Sequence, residues 1–227
     1  MSDRFEDVPT LEVSTTELLE RVRALHRGRG RVLLGIAGCP GAGKSTVARW
    51  LAAALQAAGT RAVQVPMDGF HLADVELRRL DRLDRKGSVD TFDGHGYLSL
   101  LRRAADQTGA IVYAPEFDRR LEEPVAGSIA IGPEVEVVVT EGNYLLDDEE
   151  PWPAVRGALT EVWYCETDDA VRLERLAGRH REFGKSAEQA RAWIERVDEP
   201  NARRIRKTRD RADLVFDYDA LGLGAAR

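Results

Sequence analysis

The chain has 227 residues, of which 43% are hydrophobic and 32% are charged, and its formal net charge is −6. This composition predicts a packed globular protein and excludes a disordered or fibrous chain. An acidic chain is poorly suited to holding nucleic acid through counterion release, so we expect no nucleic acid partner and a small-molecule ligand instead.

Cysteine content and hydropathy favour a cytoplasmic protein. The two cysteines, Cys39 and Cys165, lie in different segments and have no CxxC or CxxH partner, which argues against a disulfide framework and a zinc site. The N-terminus lacks an apolar signal core, and no stretch approaches the roughly 18 apolar residues of a membrane helix. We therefore expect a cytoplasmic location, no membrane partner and a single domain over residues 1–227. A homodimer is compatible with these features.

The first predicted element is a helix over residues 14–27. Ser14 and Glu17 have the spacing of a capping box. Apolar residues then recur at helical spacing, at Leu18, Leu19, Val22 and Leu25. We expect this helix to pack one face on the body of the protein.

A strand, a glycine-rich loop and a second helix follow. Residues 31–36 form an apolar run, and residues 44–58 are rich in alanine with Val47, Leu51 and Leu55 at helical spacing. Gly59 ends the helix, and residues 61–66 are predicted to form the next strand. The expected product is a parallel, right-handed βαβ unit.

The loop matches the pattern G-x-x-x-x-G-K-[ST] over residues 38–45. Such a P-loop turns backbone N–H groups toward phosphate oxygens, and the next helix directs its positive dipole end at the same anion. Lys44 is expected to reach the β- and γ-phosphates of ATP, and Ser45 to supply a hydroxyl for Mg²⁺. The residues predicted to bind the nucleotide are Gly38, Cys39, Pro40, Gly41, Ala42, Gly43, Lys44, Ser45 and Thr46.

The pattern is less regular over residues 68–130. It predicts helices near 73–84 and 96–105 and short extended pieces at 111–113 and 128–131, and we interpret the segment as an insertion that binds the acceptor. Apolar strands follow over 135–140, 162–165 and 212–216. Strands alternating with helices predict an α/β fold with a five-stranded parallel sheet.

Two carboxylates directly follow predicted strands. Asp68 follows the second strand and Glu141 the third, and ligands of open parallel sheets lie at this carboxyl edge. We assign Asp68 as the base that accepts a proton from the attacking hydroxyl and Glu141 as a Mg²⁺ ligand, although these roles could be exchanged. The alternatives are a turn before Gly69 for Asp68 and a loop cap for Glu141.

Six tracts, in this order along the chain, resemble those of the P-loop kinases that include uridine kinase, phosphoribulokinase and bacterial pantothenate kinase. They are GCPGAGKST, PMDGFHL, RKGSVDTFD, YAPEFDR, TEGNYLL and RLAGRH. Within this group the chain is most similar to a branch described as nucleoside/nucleotide kinase-like or fructose-transport-associated kinases. The resemblance implies the three-layer αβα fold of P-loop NTP hydrolases with sheet order 2-3-1-4-5. It also implies Asp68 as catalytic base, Glu141 near Mg²⁺ and an arginine-bearing lid.

The insertion and the residues after the fourth strand supply further candidates. His71, Asp93, Tyr113, Asp118 and Arg119 are predicted to contact the acceptor, with helix caps, turns and surface pairs as the alternative. Arginines of a lid over about 172–198 would stabilise charge on the transferred phosphoryl group. Arg175 and Arg179 are the lid residues predicted to be catalytic, and a solvated charged face is the alternative.

These observations predict ATP- and Mg²⁺-dependent phosphorylation of a hydroxyl on a small metabolite. The acceptor could be a nucleoside, a pantothenate-like acid or a sugar. The alternative from another class is a nucleotide-dependent switch or ATPase that acts on a protein partner.

Overall fold

The computed structural model describes residues 8–27, 30–106 and 109–223. The strands are β1 (Thr10–Leu11), β2 (Val32–Ala37), β3 (Ala62–Pro66), β4 (Val112–Asp118), β5 (Glu123–Ile131), β6 (Val137–Glu141), β7 (Glu161–Glu166) and β8 (Leu214–Asp217). The helices are α1 (Thr15–His26), α2 (Lys44–Ala57), α3 (Asp74–Arg79), α4 (Gly94–Asp106), α5 (Trp152–Ala158), α6 (Asp169–Glu182), α7 (Ala187–Trp193) and α8 (Glu199–Arg206). Within these described ranges no helix is long and apolar enough to cross a membrane.

The main sheet has six parallel strands in the order β1-β8-β7-β2-β6-β3. The sequence predicted five, so that prediction was one strand short. The additional edge strand, β1, is only two residues long and pairs Thr10 with Val215. A strand this short shows no alternation, which is why the sequence pattern did not reveal it.

Helices pack on both faces of this sheet. Alternate residues of β2 divide between the faces, since Leu33 joins one apolar cluster and Leu34 the other. The first cluster is completed by α4, α5 and α8, and the second by α1 and α2. Ser14 and Glu17 form the predicted capping box of α1, with the Glu17 amide donating to Ser14 Oγ at 3.2 Å.

The insertion contains a β-hairpin, of which the sequence predicted only the start of the first strand and the end of the second. Strands β4 and β5 pair antiparallel from Val112 with Ile131 to Asp118 with Glu123, with an irregularity between Ala114 and Glu116. The helix predicted near 73–84 was too long, because α3 ends at Arg79 and Asp81 takes a left-handed backbone conformation with φ 55°.

A buried guanidinium connects the P-loop to the helices that follow β7. Arg172 on α6 is 1% exposed and donates to the Pro40 carbonyl at 3.2 Å and to Asp169 Oδ1 at 2.9 Å. It also pairs with Glu199 on α8. A buried cation is tolerated when its donors are satisfied, and this one is satisfied by three separate segments.

Replacing Arg172 with alanine should lower the free energy of unfolding by about 3 kcal/mol, because it leaves the Glu199 carboxylate and the Pro40 carbonyl without their donor. Urea denaturation measures this difference. The matched control is Arg79→Ala, which removes an exposed ion pair with Glu76 on α3 and should change the midpoint little. Equal midpoints for the two variants would contradict the role of Arg172.

Candidate active site

The P-loop adopts a conformation that only glycine accommodates without strain. Gly41 has φ 83° and Gly43 has φ 101°, in the left-handed region that side chains disfavour. A Cβ atom on Gly43 would also lie 2.4 Å from the ring of Tyr218. Helix α2 starts directly after Gly43 with no side-chain cap from the described residues, so its first amides remain available to an anion.

A cavity of about 430 Å³ opens beside this loop. Nine of the predicted site residues line it: Pro40, Gly41, Lys44, Ser45, Asp68, His71, Arg119, Glu141 and Arg179. They come from the P-loop, the ends of β3 and β6, the hairpin and α6. The fold therefore brings together residues that are up to 139 positions apart, from Pro40 to Arg179.

Lys44 and Ser45 occupy the P-loop side of the cavity. Lys44 is 6% exposed, and its Nζ donates to the Cys39 carbonyl at 3.0 Å. Burial lowers the pKa of Lys44, while the nearby charge of Glu141 opposes that change. A phosphate anion would give this buried ammonium a second partner.

Glu141 and Ser45 form a hydrogen-bonded pair at the end of β6. Ser45 Oγ donates to Glu141 Oε1 at 2.8 Å, and Glu141 is 4% exposed. Burial, followed by the charge of Asp68, raises the pKa of Glu141. A hydroxyl and a carboxylate are oxygen ligands of the kind Mg²⁺ takes alongside phosphate oxygens and water. The described residues contain no group of three acidic, histidine or cysteine side chains that could hold a metal ion.

Asp68 lies on the opposite wall. Pro66 in β3 pairs in register with Glu141 in β6, which places Asp68 just beyond the same edge of the sheet. Arg119 donates to Asp68 Oδ2 at 3.1 Å, and His71 Nδ1 lies 2.8 Å from the Asp68 carbonyl oxygen.

The pKa values of the two carboxyl groups are shifted in opposite directions. Burial raises the pKa of Asp68, but the charges of His71, Arg119, Arg179 and Lys44 together lower it below its ordinary value. Glu141 has its pKa shifted the other way. Nearby carboxyl groups with opposite shifts commonly have different roles, and the lowered pKa of Asp68 favours the ionised form, which is able to accept a proton.

The two predicted lid arginines are separated in the structure. Arg179 lines the cavity, and its guanidinium makes no hydrogen bond or ion pair with any residue in the described part of the chain. Burial lowers the pKa of Arg179. Arg175 lies outside the cavity lining. It lies one helical turn before Arg179, pairs with Asp219 at 3.0 Å and stacks on the Tyr218 ring at 4.5 Å.

Three predicted acceptor residues also lie away from the cavity lining. Asp93 Oδ1 accepts from the Gly96 amide at 2.7 Å at the start of α4, and Asp118 Oδ1 accepts from the Arg120 amide at 2.8 Å in the hairpin turn. Tyr113 is 57% exposed on β4. For these positions the structure favours the alternative of a cap, a turn and a surface residue.

The P-loop residues differ in what their side chains contact. Cys39 is buried with its Sγ 3.4 Å from the Tyr164 hydroxyl. Gly38, Cys39, Ala42, Gly43 and Thr46 do not line the cavity beside the loop. Any part they take in nucleotide binding would therefore come from their backbone or from the other side of the loop.

Sequence reasoning missed several residues that line the cavity: Lys86, Phe117, Asn143, His180, Phe183, Lys185, Trp193 and Asp198. His180 Nε2 lies 2.8 Å from Asp198 Oδ2. Asn143 follows Glu141 by two positions in the tract TEGNYLL, which was a usable signal. Trp193 precedes and Asp198 ends a π-helical turn, Ile194–Asp198, that no helical periodicity predicts.

Comparisons with known proteins agree with this geometry. A candidate uridine kinase of Schizosaccharomyces pombe is 36% identical over 198 residues, which cover 85% of this chain and 83% of that protein. The crystal structure of a candidate fructose transport system kinase from Silicibacter sp. TM1040 has a TM-score of 0.80 at 38% identity, over 88% of this chain and 97% of that chain. YFH7 of Saccharomyces cerevisiae has the same fold, with a TM-score of 0.75 at 22% identity over 90% of this chain and 98% of that chain.

A family model described as methylmalonyl Co-A mutase-associated GTPase MeaB matches only residues 6–70. That stretch contains the P-loop and ends within the first residues of the insertion. The fold and the cavity together define a P-loop kinase. With the relative from S. pombe matching over most of its length, the chain belongs to the family of uridine kinase, phosphoribulokinase and pantothenate kinase.

Glu141→Gln should stabilise the protein when neither nucleotide nor Mg²⁺ is present. The folded state raises the pKa of Glu141, so the contribution of this group to stability is full below its unfolded pKa and is lost as pH rises through the folded pKa. The glutamine mimics the neutral form of Glu141. The gain in the free energy of unfolding over the parent protein should therefore be small at pH 4 and larger at pH 8. Denaturant unfolding at both pH values measures it.

Glu174→Gln, on the exposed side of α6, is the control and should show no such pH-dependent gain. A Glu141→Gln variant that is less stable than the parent protein at pH 8 would contradict the expected cost of the buried carboxylate.

Proposed function

We propose that this protein transfers the γ-phosphoryl group of ATP, with Mg²⁺, to a hydroxyl of a small metabolite. The observation that carries the proposal is one cavity in which Lys44 and Ser45 of the P-loop face Asp68 and Glu141. Membership of a P-loop kinase family supports the reaction type.

Each residue has a role that fits its surroundings. The amides at the start of α2 and the Lys44 ammonium bind the β- and γ-phosphates. Ser45 and Glu141 would hold Mg²⁺, which when bound neutralises charge between the phosphates. Asp68, kept ionised by neighbouring cations, accepts the proton of the acceptor hydroxyl as the phosphoryl group is transferred.

Arg179 completes the proposed site from the lid segment over about 172–198. Its guanidinium is half-buried and has no protein partner among the described residues, and a phosphate would supply one. Its position on α6, opposite the P-loop, suits it to stabilise charge on the transferred group. Closure of α6 and α7 over the nucleotide would exclude water from the reaction.

The second candidate is a nucleotide-dependent switch or ATPase that acts on a protein partner. The GTPase family model that matches residues 6–70 favours it, since that stretch holds only the nucleotide-binding elements. The hairpin and the lid segment, which enclose the far half of the cavity, favour a kinase instead. Nucleotide hydrolysis that is fast without any acceptor and stimulated by a protein would favour the switch.

Asp68→Asn should lower kcat by roughly 10²- to 10⁴-fold, because the amide cannot accept the proton. Mg-ATP should still bind. ADP release over a panel of nucleosides, pantothenate, sugars and sugar phosphates identifies the acceptor, and calorimetry reports the binding. Asp118→Asn is the matched control, since asparagine also suits the hairpin turn.

Full activity of Asp68→Asn on the preferred acceptor would exclude Asp68 as the base. Failure of the parent protein to bind Mg-ATP or Mg-GTP would overturn the proposal as a whole.

Arg179→Met should lower kcat by roughly 100-fold or more, because it removes charge stabilisation in the transition state. Arg175→Met should have a much smaller effect, since Arg175 is held by Asp219 and Tyr218 outside the cavity. Steady-state ADP release with saturating acceptor measures both variants. Equal losses would show that Arg175 also reaches the phosphates during turnover.

A further inference from the structure

The half of the cavity farther from the P-loop is rich in cations and aromatic rings. The insertion and the lid segment supply both kinds of side chain, and the six that matter here are Lys86, Phe117, Arg119, Phe183, Lys185 and Trp193. Asp68 separates this region from the P-loop. The acceptor must therefore occupy it if the phosphates occupy the other half.

Each of the three rings has a cation over it. Lys86 Nζ and Arg119 Cζ lie 5.2 and 5.7 Å from the centroid of Phe117. The Arg119 guanidinium also lies 6.0 Å from Phe183, and Lys185 Nζ lies 5.0 Å from Trp193. A nucleobase acceptor would need an open ring face on which to stack, and these faces are already engaged with charged groups.

The cations retain unused hydrogen-bonding capacity. Arg119 donates one hydrogen bond, to Asp68, although a guanidinium has five donors. Within the described residues the Lys185 ammonium makes no hydrogen bond or ion pair. Lys86 bonds to Asp74 Oδ1 at 2.6 Å and to the Glu122 carbonyl, which leaves one donor.

The acidic residues of this region pair with Lys86 and Arg119 and leave the Lys185 ammonium without an ion-pair partner among the described residues. Asp74 is already paired with Lys86. The Glu122 side chain belongs to an exposed residue at the hairpin turn, where water screens it. A neutral acceptor that closed the cavity would leave Arg119 and Lys185 short of acceptor atoms, and such buried donors are costly.

We propose that the acceptor is a small hydroxy acid or a phosphorylated polyol, whose anionic group binds Arg119, Lys185 and the free donor of Lys86. This inference rests on the proposed kinase function. Arg119 contacts Asp68 at 3.1 Å, so a hydroxyl at the base and an anion at the guanidinium are separated by only a few atoms. The acceptor is accordingly a short molecule that carries its charge close to the reacting hydroxyl.

Calorimetric titration of inorganic sulfate tests the anion site directly. The protein is first saturated with Mg²⁺ and a non-hydrolysable ATP analogue, so that the phosphate subsites of the P-loop are filled. One saturable sulfate site is expected in the parent protein. Arg119→Met and Lys185→Met should each weaken it by about tenfold or more.

Arg120→Met is the matched control, because Arg120 is 90% exposed and pairs only with Asp118. It should bind sulfate as the parent protein does. The Lys185 side chain has no hydrogen-bond or ion-pair partner among the described residues. Loss of sulfate affinity in Lys185→Met would therefore not result from a polar contact broken within the fold. Absence of a saturable site in the parent protein, or unchanged affinity in both cavity variants, would overturn the inference.

Kinetics with matched acceptor pairs supply the second test. The pairs are glycerate with glyceramide, pantothenate with pantothenyl alcohol, and ribose 5-phosphate with ribose, with uridine as a neutral nucleoside. The charged member should have the higher kcat/KM, and Arg119→Met should raise KM for it, with partial rescue by Arg119→Lys. The acceptor pair whose charged member has the higher kcat/KM shows whether the site prefers a carboxylate or a phosphate.

The two proposals fail in different ways. A preference for neutral acceptors would overturn the anion site and leave the kinase function intact. Failure of the ATP analogue to bind would overturn the kinase function itself. If no member of the panel is phosphorylated, the sulfate titration still decides whether the anion site exists.

Discussion

The parallel register of β2, β6 and β3 is the constraint on which the site depends. It aligns Ile36, which precedes the P-loop, with Glu141, and Glu141 with Pro66, two residues before Asp68. Three chain segments thus deliver their polar residues to one edge of the sheet. Lys44 is consequently held close enough to both carboxylates to influence their pKa values, and Asp68 close enough to raise the pKa of Glu141.

This arrangement has a cost in stability that a nucleotide would offset. Lys44 and Glu141 are almost completely buried, and Arg179 has no protein partner in the described residues. Removing such groups from water is unfavourable unless each finds a counter-charge. A ligand that brings phosphate oxygens and a divalent cation supplies the missing partners, so ligand binding and the stability of the folded state should be coupled.

Two arginines connect the lid segment to the rest of the molecule in different ways. Arg172 anchors the first turn of α6 to the P-loop through buried hydrogen bonds, whereas Arg119 contacts the far end of α6 only through the ring of Phe183. In the proposed function, closure of this segment over the nucleotide would exclude water. The acceptor, bound beside Arg119, would then lie next to the segment that closes.

Much of the core architecture was determined by sequence patterns that have local physical causes. The P-loop, the capping box of α1 and the long apolar strands are each set by neighbouring residues, and the acidic residues at strand ends follow from sheet geometry. The sixth strand, the hairpin and the π-helical turn depend on long-range pairing, which no local pattern records. Tertiary structure likewise separated Arg179 from Arg175 and Arg119 from Asp118. One helical turn moves a side chain about 5.4 Å along the helix axis, so only one of the two arginines reaches the cavity, and consecutive residues of an extended chain point to opposite sides. Tertiary structure also placed Lys86 and Lys185 beside Phe117 and Trp193, and the meeting of such distant segments is decided only when the chain folds.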